Sequence, residues 1–216
     1  MKKPFGFADF AADLIAPNRC PFCGEFIVWN SFGCEKCLET AKKCTFREPP
    51  PGCEKAFAAY LYDDIAITAV YNFKYKHNAS FAKLAAYVIT QSEGFSASDF
   101  DLLIPVPMHK TKTAARFYNP AEIFARKMSC FTGIPVCTNA LFHEKTDLEQ
   151  HKLSEAKRFE NAEKVYSAKN SAAAKNKRIL LCDDVITTGA TLGVCAKLLL
   201  RSGAKSVSTA ACTASQ

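Results

Sequence analysis

Two patterns of apolar residues alternate along the chain, one typical of strands and one typical of helices. Short runs of strand type occur at residues 57–62, 101–107, 134–137, 164–167, 178–182 and 206–212. Apolar residues three or four positions apart predict helices at residues 64–76, 80–91, 120–130, 154–162 and 189–200. Strands that alternate with helices are typical of α/β proteins with a parallel sheet. We therefore expect an α/β fold with a parallel sheet and helices packed against it.

Local signals support several element boundaries. Asn119 followed by Pro120 predicts a helix start, because an asparagine side chain caps a helix and proline suits its first position. Gly133 and Gly203 follow the last periodic residues of two helices and are expected to end them. Residues 171–176 predict a loop.

One stretch combines a predicted strand, two acids and a helix start. An apolar run at residues 179–181 leads to Asp183 and Asp184, and a Thr/Gly loop then opens the last long helix. Open α/β sheets place their sites at the carboxyl ends of the strands, where these acids are expected. Neighbouring strand residues point to opposite faces, so we expect the two acids to have different tasks.

The loop after the acids has the composition of an anion site. Its residues are Thr187, Thr188, Gly189, Ala190 and Thr191. Backbone N–H groups and hydroxyls at a helix N-terminus bind phosphate, while acids suit sugar hydroxyls or Mg²⁺. The stretch therefore predicts a site for a phosphorylated sugar. It is not a Walker A loop, since G-x-x-x-x-G-K-[ST] is absent, and the alternative is an ordinary strand-to-helix turn with a Thr/Gly cap.

Four of the eleven cysteines form two C-x-x-C pairs with ten residues between them. The pairs are Cys20 with Cys23 and Cys34 with Cys37, and Gly24 allows the turn that the first pair needs. Two intervening residues let both thiolates face one cation, and four thiolates make a closed tetrahedral zinc site. We therefore expect a structural zinc ion that supplies folding free energy to a small module.

The other cysteines are interpreted differently. An odd total without an export signal argues against a disulfide framework. Cys44 and Cys53 are single, and are either the remains of a second metal site or plain thiols. Five later cysteines lie in apolar segments and are expected to be reduced core residues: Cys130, Cys137, Cys182, Cys195 and Cys212. The Pro-Pro-Pro-Gly run at 49–52 predicts a linker between a metal module, residues 1–52, and a second domain, residues 53–216.

Charge and hydropathy narrow the class of protein. The 216 residues have a formal charge of +7 with scattered basic side chains, which suits phosphate-bearing partners, nucleic acid included, or simply a solvated surface. No segment has the roughly 18 apolar residues that a membrane span needs. Residues 7–14 predict a short amphipathic helix, because Asp9 and Asp13 interrupt what would otherwise resemble a signal peptide. We expect a cytoplasmic protein.

Several short motifs occur in order along the chain, over about residues 20–212. They are the two C-x-x-C pairs, Tyr60-x-Tyr62-Asp63, Phe73-Lys74-Tyr75-Lys76, Ile104-Pro-Val-Pro-Met-His109, Arg116-Phe-Tyr-Asn119, Gln150-x-x-Leu153-Ser154, Arg158-x-x-Asn161 and residues 183–191. This order resembles the ComF family of competence-type phosphoribosyltransferase-like proteins. The resemblance implies a type I phosphoribosyltransferase fold, preceded by a zinc ribbon, and a bacterial role in taking up or processing transforming DNA.

The resemblance also implies a ligand, phosphoribosyl diphosphate (PRPP), and roles for the site residues. Asp183 and Asp184 would hold the ribose hydroxyls directly or through Mg²⁺, and residues 187–191 the 5′-phosphate. Arg116 and Lys74 would steady the diphosphate. The chain departs from the family pattern at Phe117, where the family often has glycine, and this substitution makes it harder for the loop backbone to approach a diphosphate.

Two functions remain open from the sequence. One is a binding protein that holds PRPP or a related ribose phosphate, while the zinc module contacts single-stranded DNA or a helicase-type partner. The other is an active phosphoribosyltransferase with an unknown base or amine acceptor. Arg158 and Asn161 either clamp a ligand or tie a helix to a loop, and His109 either faces the site or lies in a loop. The remaining histidines are interpreted as structural.

Overall fold

The computed structural model describes residues 18–28, 31–44, 48–76, 78–109, 111, 113, 116–144, 165–169 and 171–215. Two predicted helices, at 7–14 and 154–162, lie outside the described residues, and Arg158 and Asn161 lie outside them with the second helix. Within the described ranges, no helix combines the length and the apolar character needed to cross a bilayer.

The regular elements follow the predicted alternation. In chain order they are α1 (Glu35–Thr40), β1 (Ala56–Leu61), α2 (Asp64–Tyr75), α3 (Ser80–Thr90), a 3-10 turn (Ala97–Asp99), β2 (Leu102–Pro105), α4 (Pro120–Thr132), β3 (Leu141–His143), β4 (Tyr166–Ala168), α5 (Ser171–Ala174), β5 (Arg178–Ile186), α6 (Ala190–Arg201) and β6 (Ser206–Ala214). Four strands form a parallel sheet in the order β1-β6-β5-β2, and β3 and β4 form a separate antiparallel pair.

Capping residues lie where the sequence predicts them. The Asn119 side chain accepts a hydrogen bond from the Ala121 N–H at 3.1 Å, and Pro120 begins α4. Gly133 ends α4 with a φ of 74°, a left-handed conformation that glycine adopts without steric cost. These contacts satisfy backbone groups that a helix end leaves unpaired.

Four details differ from the sequence-based expectation. The prediction of a loop at residues 171–176 is wrong, because Ser171–Ala174 is a short helix. Its three alanines have a high helix propensity. Strand β5 continues to Ile186, so both acids lie within the strand and not after it. Residues 134–137 contribute only a single bridge, from Val136 to Leu103, and strand β3 has no counterpart in the sequence-based prediction.

Both faces of the sheet are covered. On β5, Leu180 and Cys182 pack into a core shared with α2, α3 and α4, whereas Ile179 and Leu181 pack with α6 on the other side. This alternation follows from the period of two in a strand. The expected α/β fold with helices on both faces is confirmed.

The cysteine-rich segment packs on the same core as α2 and α3. Phe22 lies edge-on to Tyr60 and Phe81, at centroid distances of 5.5 and 5.7 Å, and Phe32 stacks on Tyr87 at 4.6 Å. The backbone of residues 42–44 hydrogen-bonds to β1 along its outer edge. A boundary at residues 52–53 stays a prediction, and the segment before it is joined to the sheet through buried aromatic contacts.

Candidate functional site

The carboxyl edge of the sheet carries a cleft of about 250 Å³. It lies between the end of β5, the loop after β2, the start of α4 and the last turn of α2. Five of the residues predicted from the sequence line it: Lys74, Arg116, Asp183, Asp184 and Thr191. Residues distant in sequence therefore meet at the place where open α/β sheets carry their ligand sites.

The two acids extend the alternation of β5. Asp184 lies on the side of α2, where its Oδ2 is 2.6 Å from the Lys74 Nζ. This buried oxygen accepts no well-aligned hydrogen bond among the described residues, so the ammonium group is its charge partner. Burial lowers the pKa of Lys74, but the neighbouring carboxylates of Asp184 and Asp183 outweigh this effect and leave the pKa above its ordinary value.

Asp183 lies on the side of α6 and the β3–β4 pair. Its Oδ1 accepts a hydrogen bond from the Asp184 N–H at 2.8 Å. Burial, and then the adjacent Asp184 carboxylate, raise the pKa of Asp183 well above its usual value. Two half-buried carboxylates in sequence are costly unless cations or hydroxyl donors compensate them, which is the environment that a sugar or a divalent cation would supply.

The loop after β5 forms a tight turn into α6. Gly189 has a φ of 75°, and a Cβ built on it would lie 3.0 Å from the Cβ of Pro50. The proline segment predicted as a linker therefore packs on the start of α6, and it leaves room for glycine only. Thr188 Oγ1 accepts a hydrogen bond from the Ala190 N–H at 3.3 Å.

The five loop residues differ in their relation to the cleft. Thr191 lines it, and Thr187 and Thr188 are exposed at its edge of the sheet. Gly189 is buried beneath Pro50 and supports the turn. The structure thus brings the helix N-terminus next to the acids, and Thr191 is the loop residue that lines the cleft.

Arg116 is held beside the end of α2. Its Nη2 donates to the Tyr75 Oη at 2.8 Å, and its guanidinium lies over the Tyr75 ring at 4.7 Å from the centroid. The Tyr118 hydroxyl donates to the Phe73 carbonyl and ties the loop to the same helix. Phe117 has a φ of 64° and is 84% exposed. The loop thus keeps a left-handed, glycine-like backbone in spite of its bulky residue.

Two cleft residues escaped the sequence analysis. His143 and Tyr166 are a cross-strand pair of β3 and β4, with ring centroids 5.0 Å apart, and they line the cleft with His109. The ring of His109 lies 5.0 Å from that of His143. The sequence analysis interprets His143 as structural. Its place in the cleft depends on a strand pairing across more than twenty residues, which leaves no local signal in the sequence.

The four predicted zinc ligands converge at a separate place. The Sγ atoms of Cys20, Cys23, Cys34 and Cys37 all lie within 4.8 Å of one another, and those of Cys23 and Cys34 are 3.7 Å apart. Tetrahedral zinc with Zn–S bonds of about 2.3 Å requires sulfur atoms about 3.8 Å apart. The cluster can therefore hold a metal ion, and its sulfur donors suit zinc.

The remaining cysteines are not paired in disulfides. Cys182, Cys195 and Cys212 are buried as expected, and burial raises the pKa of each thiol. Cys130 is exposed, so its prediction as a core residue is wrong; it lies near the end of α4 on the solvent side.

Comparison with known proteins gives a consistent result. Residues 118–215 match the family described as "Phosphoribosyl transferase domain". The chain is 25% identical to "Competence protein F" of Haemophilus influenzae over 197 residues, covering 87% of this chain and 81% of the relative. It is 29% identical to "Competence protein ComFC" of Bacillus subtilis over 150 residues, covering 68% and 58%. These similarities support the ComF family, with a phosphoribosyltransferase-like domain.

A third relative has a different name. The chain is 23% identical to "DNA utilization protein YhgH" of Salmonella typhimurium over 195 residues, covering 88% of this chain and 81% of the relative. The matched domain contains β5, the acids and α6, whereas Lys74, Arg116 and residues 106–109 of the cleft lie before it.

Proposed function

We propose that this ComF protein binds PRPP or a closely related ribose phosphate in the cleft and acts in natural transformation, where it handles incoming DNA. The observation that carries the ligand is the convergence of Asp183, Asp184, Thr191, Lys74 and Arg116 on one cleft. The names of its relatives, which refer to competence and DNA utilization, support the cellular role.

Each group has a task in binding. The N-terminus of α6 would receive the 5′-phosphate, because its backbone N–H groups and the Thr191 hydroxyl are donors. Asp183 and Asp184 would accept hydrogen bonds from the ribose hydroxyls. The same carboxylates offer the hard oxygen donors that suit Mg²⁺, which would neutralise charge on the diphosphate when bound.

The structure favours binding over transfer. Displacement of diphosphate from ribose depends on preorganised cations that stabilise the leaving group. The Arg116 guanidinium instead contacts Tyr75 and Met108, at 2.8 and 3.6 Å, and the Lys74 ammonium contacts Asp184. Neither cation is preorganised for a departing diphosphate, so we place the alternative, an active phosphoribosyltransferase with a base or amine acceptor, second.

Calorimetry and an assay of diphosphate release together test this proposal. The purified protein is expected to bind PRPP in the presence of Mg²⁺, and to release no diphosphate above background when purine or pyrimidine bases are added. Ribose 5-phosphate serves as the ligand control. Rapid release with any base would establish the transferase instead, and absence of PRPP binding would reject the ligand.

An aromatic surface beside the cleft favours single-stranded DNA as the polymer that is handled. Ile67, Tyr71 and Tyr75 lie four residues apart on α2 and are 42%, 54% and 54% exposed. The rings of Tyr71 and Tyr75 are 5.0 Å apart, and the exposed Phe117 lies in the Arg116 loop. Exposed rings in a row, one helical turn apart, offer stacking platforms for successive bases.

Basic groups accompany these rings. The Lys76 ammonium lies 5.8 Å from the centroid of Tyr71, and the Arg116 guanidinium lies over Tyr75. Cations interleaved with aromatic rings fit a phosphate backbone with stacked bases. We call Ile67, Tyr71, Tyr75 and Phe117 the α2 aromatic surface and infer that it binds single-stranded DNA.

Two variants test the α2 aromatic surface. Tyr71→Ala with Tyr75→Ala is expected to weaken binding of an oligothymidylate at least about tenfold, because each lost stacking contact is worth about 1–3 kcal/mol. Phe117→Gly should also weaken binding while the thermal midpoint stays equal or rises, because glycine relieves the left-handed backbone. Fluorescence anisotropy and thermal denaturation measure the two effects.

Controls separate this surface from the zinc module and from a protein partner. Phe26, 63% exposed in the cysteine module, offers a matched aromatic substitution, Phe26→Ala, which should leave affinity unchanged. The logarithm of the affinity should fall with the logarithm of salt with a slope of about −2 for three contacted phosphates. If only Phe26→Ala lowers the affinity for the oligothymidylate, DNA binding would be assigned to the zinc module. Salt-independent or absent DNA binding would favour a helicase-type protein partner.

A further inference from the structure

The position of Lys74 conflicts with the diphosphate contact that the family resemblance implies for this residue. It lies in the last turn of α2, where a cation is favourable at the helix C-terminus, and its side chain is only 24% exposed. Its Nζ lies 2.6 Å from Asp184, a residue whose carboxylate is 14% exposed. The ammonium therefore occupies the place on Asp184 that a sugar hydroxyl or a divalent cation would need.

A divalent cation and an ammonium group cannot both lie against Asp184 Oδ2 without strong repulsion. Two like charges about 4 Å apart near a protein surface repel each other strongly, and the repulsion is larger when one of them is a divalent ion. Binding at Asp184 thus requires Lys74 to move. Its movement costs little only when another anion receives the ammonium, because a half-buried cation without a partner is unfavourable.

Ribose phosphates differ in whether they carry a second anion that could receive the Lys74 ammonium. PRPP carries a diphosphate at C1 as well as its 5′-phosphate, whereas ribose 5-phosphate has only the latter, which the α6 N-terminus would hold. The Arg116 guanidinium, on the same side of the cleft, adds positive charge that repels Lys74 when no anion lies between them. Only a diphosphate ligand offers Lys74 a new partner while it frees Asp184.

We propose that Lys74 is a charge-exchange residue: it neutralises Asp184 in the free protein and moves to the diphosphate when PRPP enters. The inference rests on the proposed function, since it concerns ligand choice at the same cleft. The exchange makes the site selective for diphosphate over monophosphate and makes divalent cations compete with the protein's own ammonium group. Lys74 is thus a positioning and specificity residue.

The substitution Lys74→Met tests the exchange, because methionine keeps an unbranched side chain and removes the charge. Calorimetry with PRPP and Mg²⁺ is expected to show at least about a tenfold loss of affinity, as for a lost charge-assisted contact. Ribose 5-phosphate with Mg²⁺ should bind equally well or better, so the ratio of the two affinities falls. Mn²⁺ alone, followed by electron paramagnetic resonance, should bind at least about tenfold more tightly once Asp184 is freed.

Lys205→Met is the matched control, since Lys205 is exposed just before β6, at the amino end of the sheet, and does not line the cleft. It should change none of the three affinities. Equal losses for PRPP and ribose 5-phosphate, or an unchanged Mn²⁺ affinity, would overturn the exchange even if the wild-type protein binds PRPP. Failure of the wild-type protein to bind PRPP would instead reject the proposed function itself. Thermal denaturation confirms that each variant is folded before titration.

Discussion

Asp183→Asn combined with Asp184→Asn is expected to abolish PRPP binding and leave the fold intact. Each carboxylate would accept a charge-assisted hydrogen bond worth about 1.5–3 kcal/mol, so the double change should weaken binding at least about 100-fold. Asparagine has nearly the same volume. Burial already raises the pKa of Asp183, so removal of its charge relieves an unfavourable state and offsets part of the cost of leaving Lys74 without the Asp184 carboxylate. Calorimetry with PRPP and Mg²⁺ measures the loss.

A second pair of adjacent acids gives the matched control. Asp63 and Asp64 begin α2, and Asp63 Oδ1 accepts a hydrogen bond from the Ala66 N–H at 3.3 Å. Asparagine caps helices as well as aspartate does, so Asp63→Asn with Asp64→Asn should retain stability and PRPP affinity. Wild-type affinity in the variant of Asp183 and Asp184 would refute the assignment of the ligand to the cleft, and so would equal losses in both double variants.

Metal removal is expected to have the largest effect on stability. Metal analysis should give about one zinc ion per chain, because the spacing and the convergence of the sulfur atoms supply four ligands. Structural zinc contributes about 10–16 kcal/mol to the folding of small modules at neutral pH. A strong chelator should therefore first abolish hydrogen-exchange protection at residues 18–44, and β5 and β6 should lose protection last.

Loss of the metal should not remain confined to the cysteine module. Phe22 and Phe32 pack against Tyr60, Phe81 and Tyr87, so their release exposes aromatic surface on β1 and α3. We expect the thermal midpoint of the whole chain to fall by several degrees, as for any loss of buried contacts of this size.

A pair of cysteine variants separates the metal effect from general thiol chemistry. Cys37→Ser should reproduce the effect of the chelator on hydrogen exchange at residues 18–44, because Cys37 is a buried member of the cluster. Cys130→Ser should be neutral, since this exposed thiol lies outside the cluster. Metal-free protein with unchanged exchange at residues 18–44 would contradict the zinc prediction.

Local patterns in the sequence predicted most regular elements. The helix at Asp64–Tyr75 and the strand at Ala56–Leu61 lie within one residue of the expected bounds, because apolar periodicity and capping residues act over a few positions. The Asn119–Pro120 start of α4 is another local signal. By contrast, α5 was missed because alanines that favour a helix lie among polar residues that suggest a loop.

The membership of the cleft was only partly predictable. The acids and Thr191 follow one another in the sequence, and their order after a buried strand indicates a ligand site. His143 and Tyr166 come together through an antiparallel pair whose strands are far apart in the sequence. The stacking of Tyr75 with Arg116 also depends on how α2 packs beside the loop after β2.

The sequence by itself determined the order of strands and helices, the adjacency of the two acids and the four-cysteine spacing, since each depends on neighbours along the chain. Only the tertiary structure decided that Lys74 neutralises Asp184, that Pro50 packs on Gly189, and that the rings of α2 lie beside the cleft. The physical reason is that charge pairing and close packing depend on distances in space, which folding sets between residues that no local pattern relates.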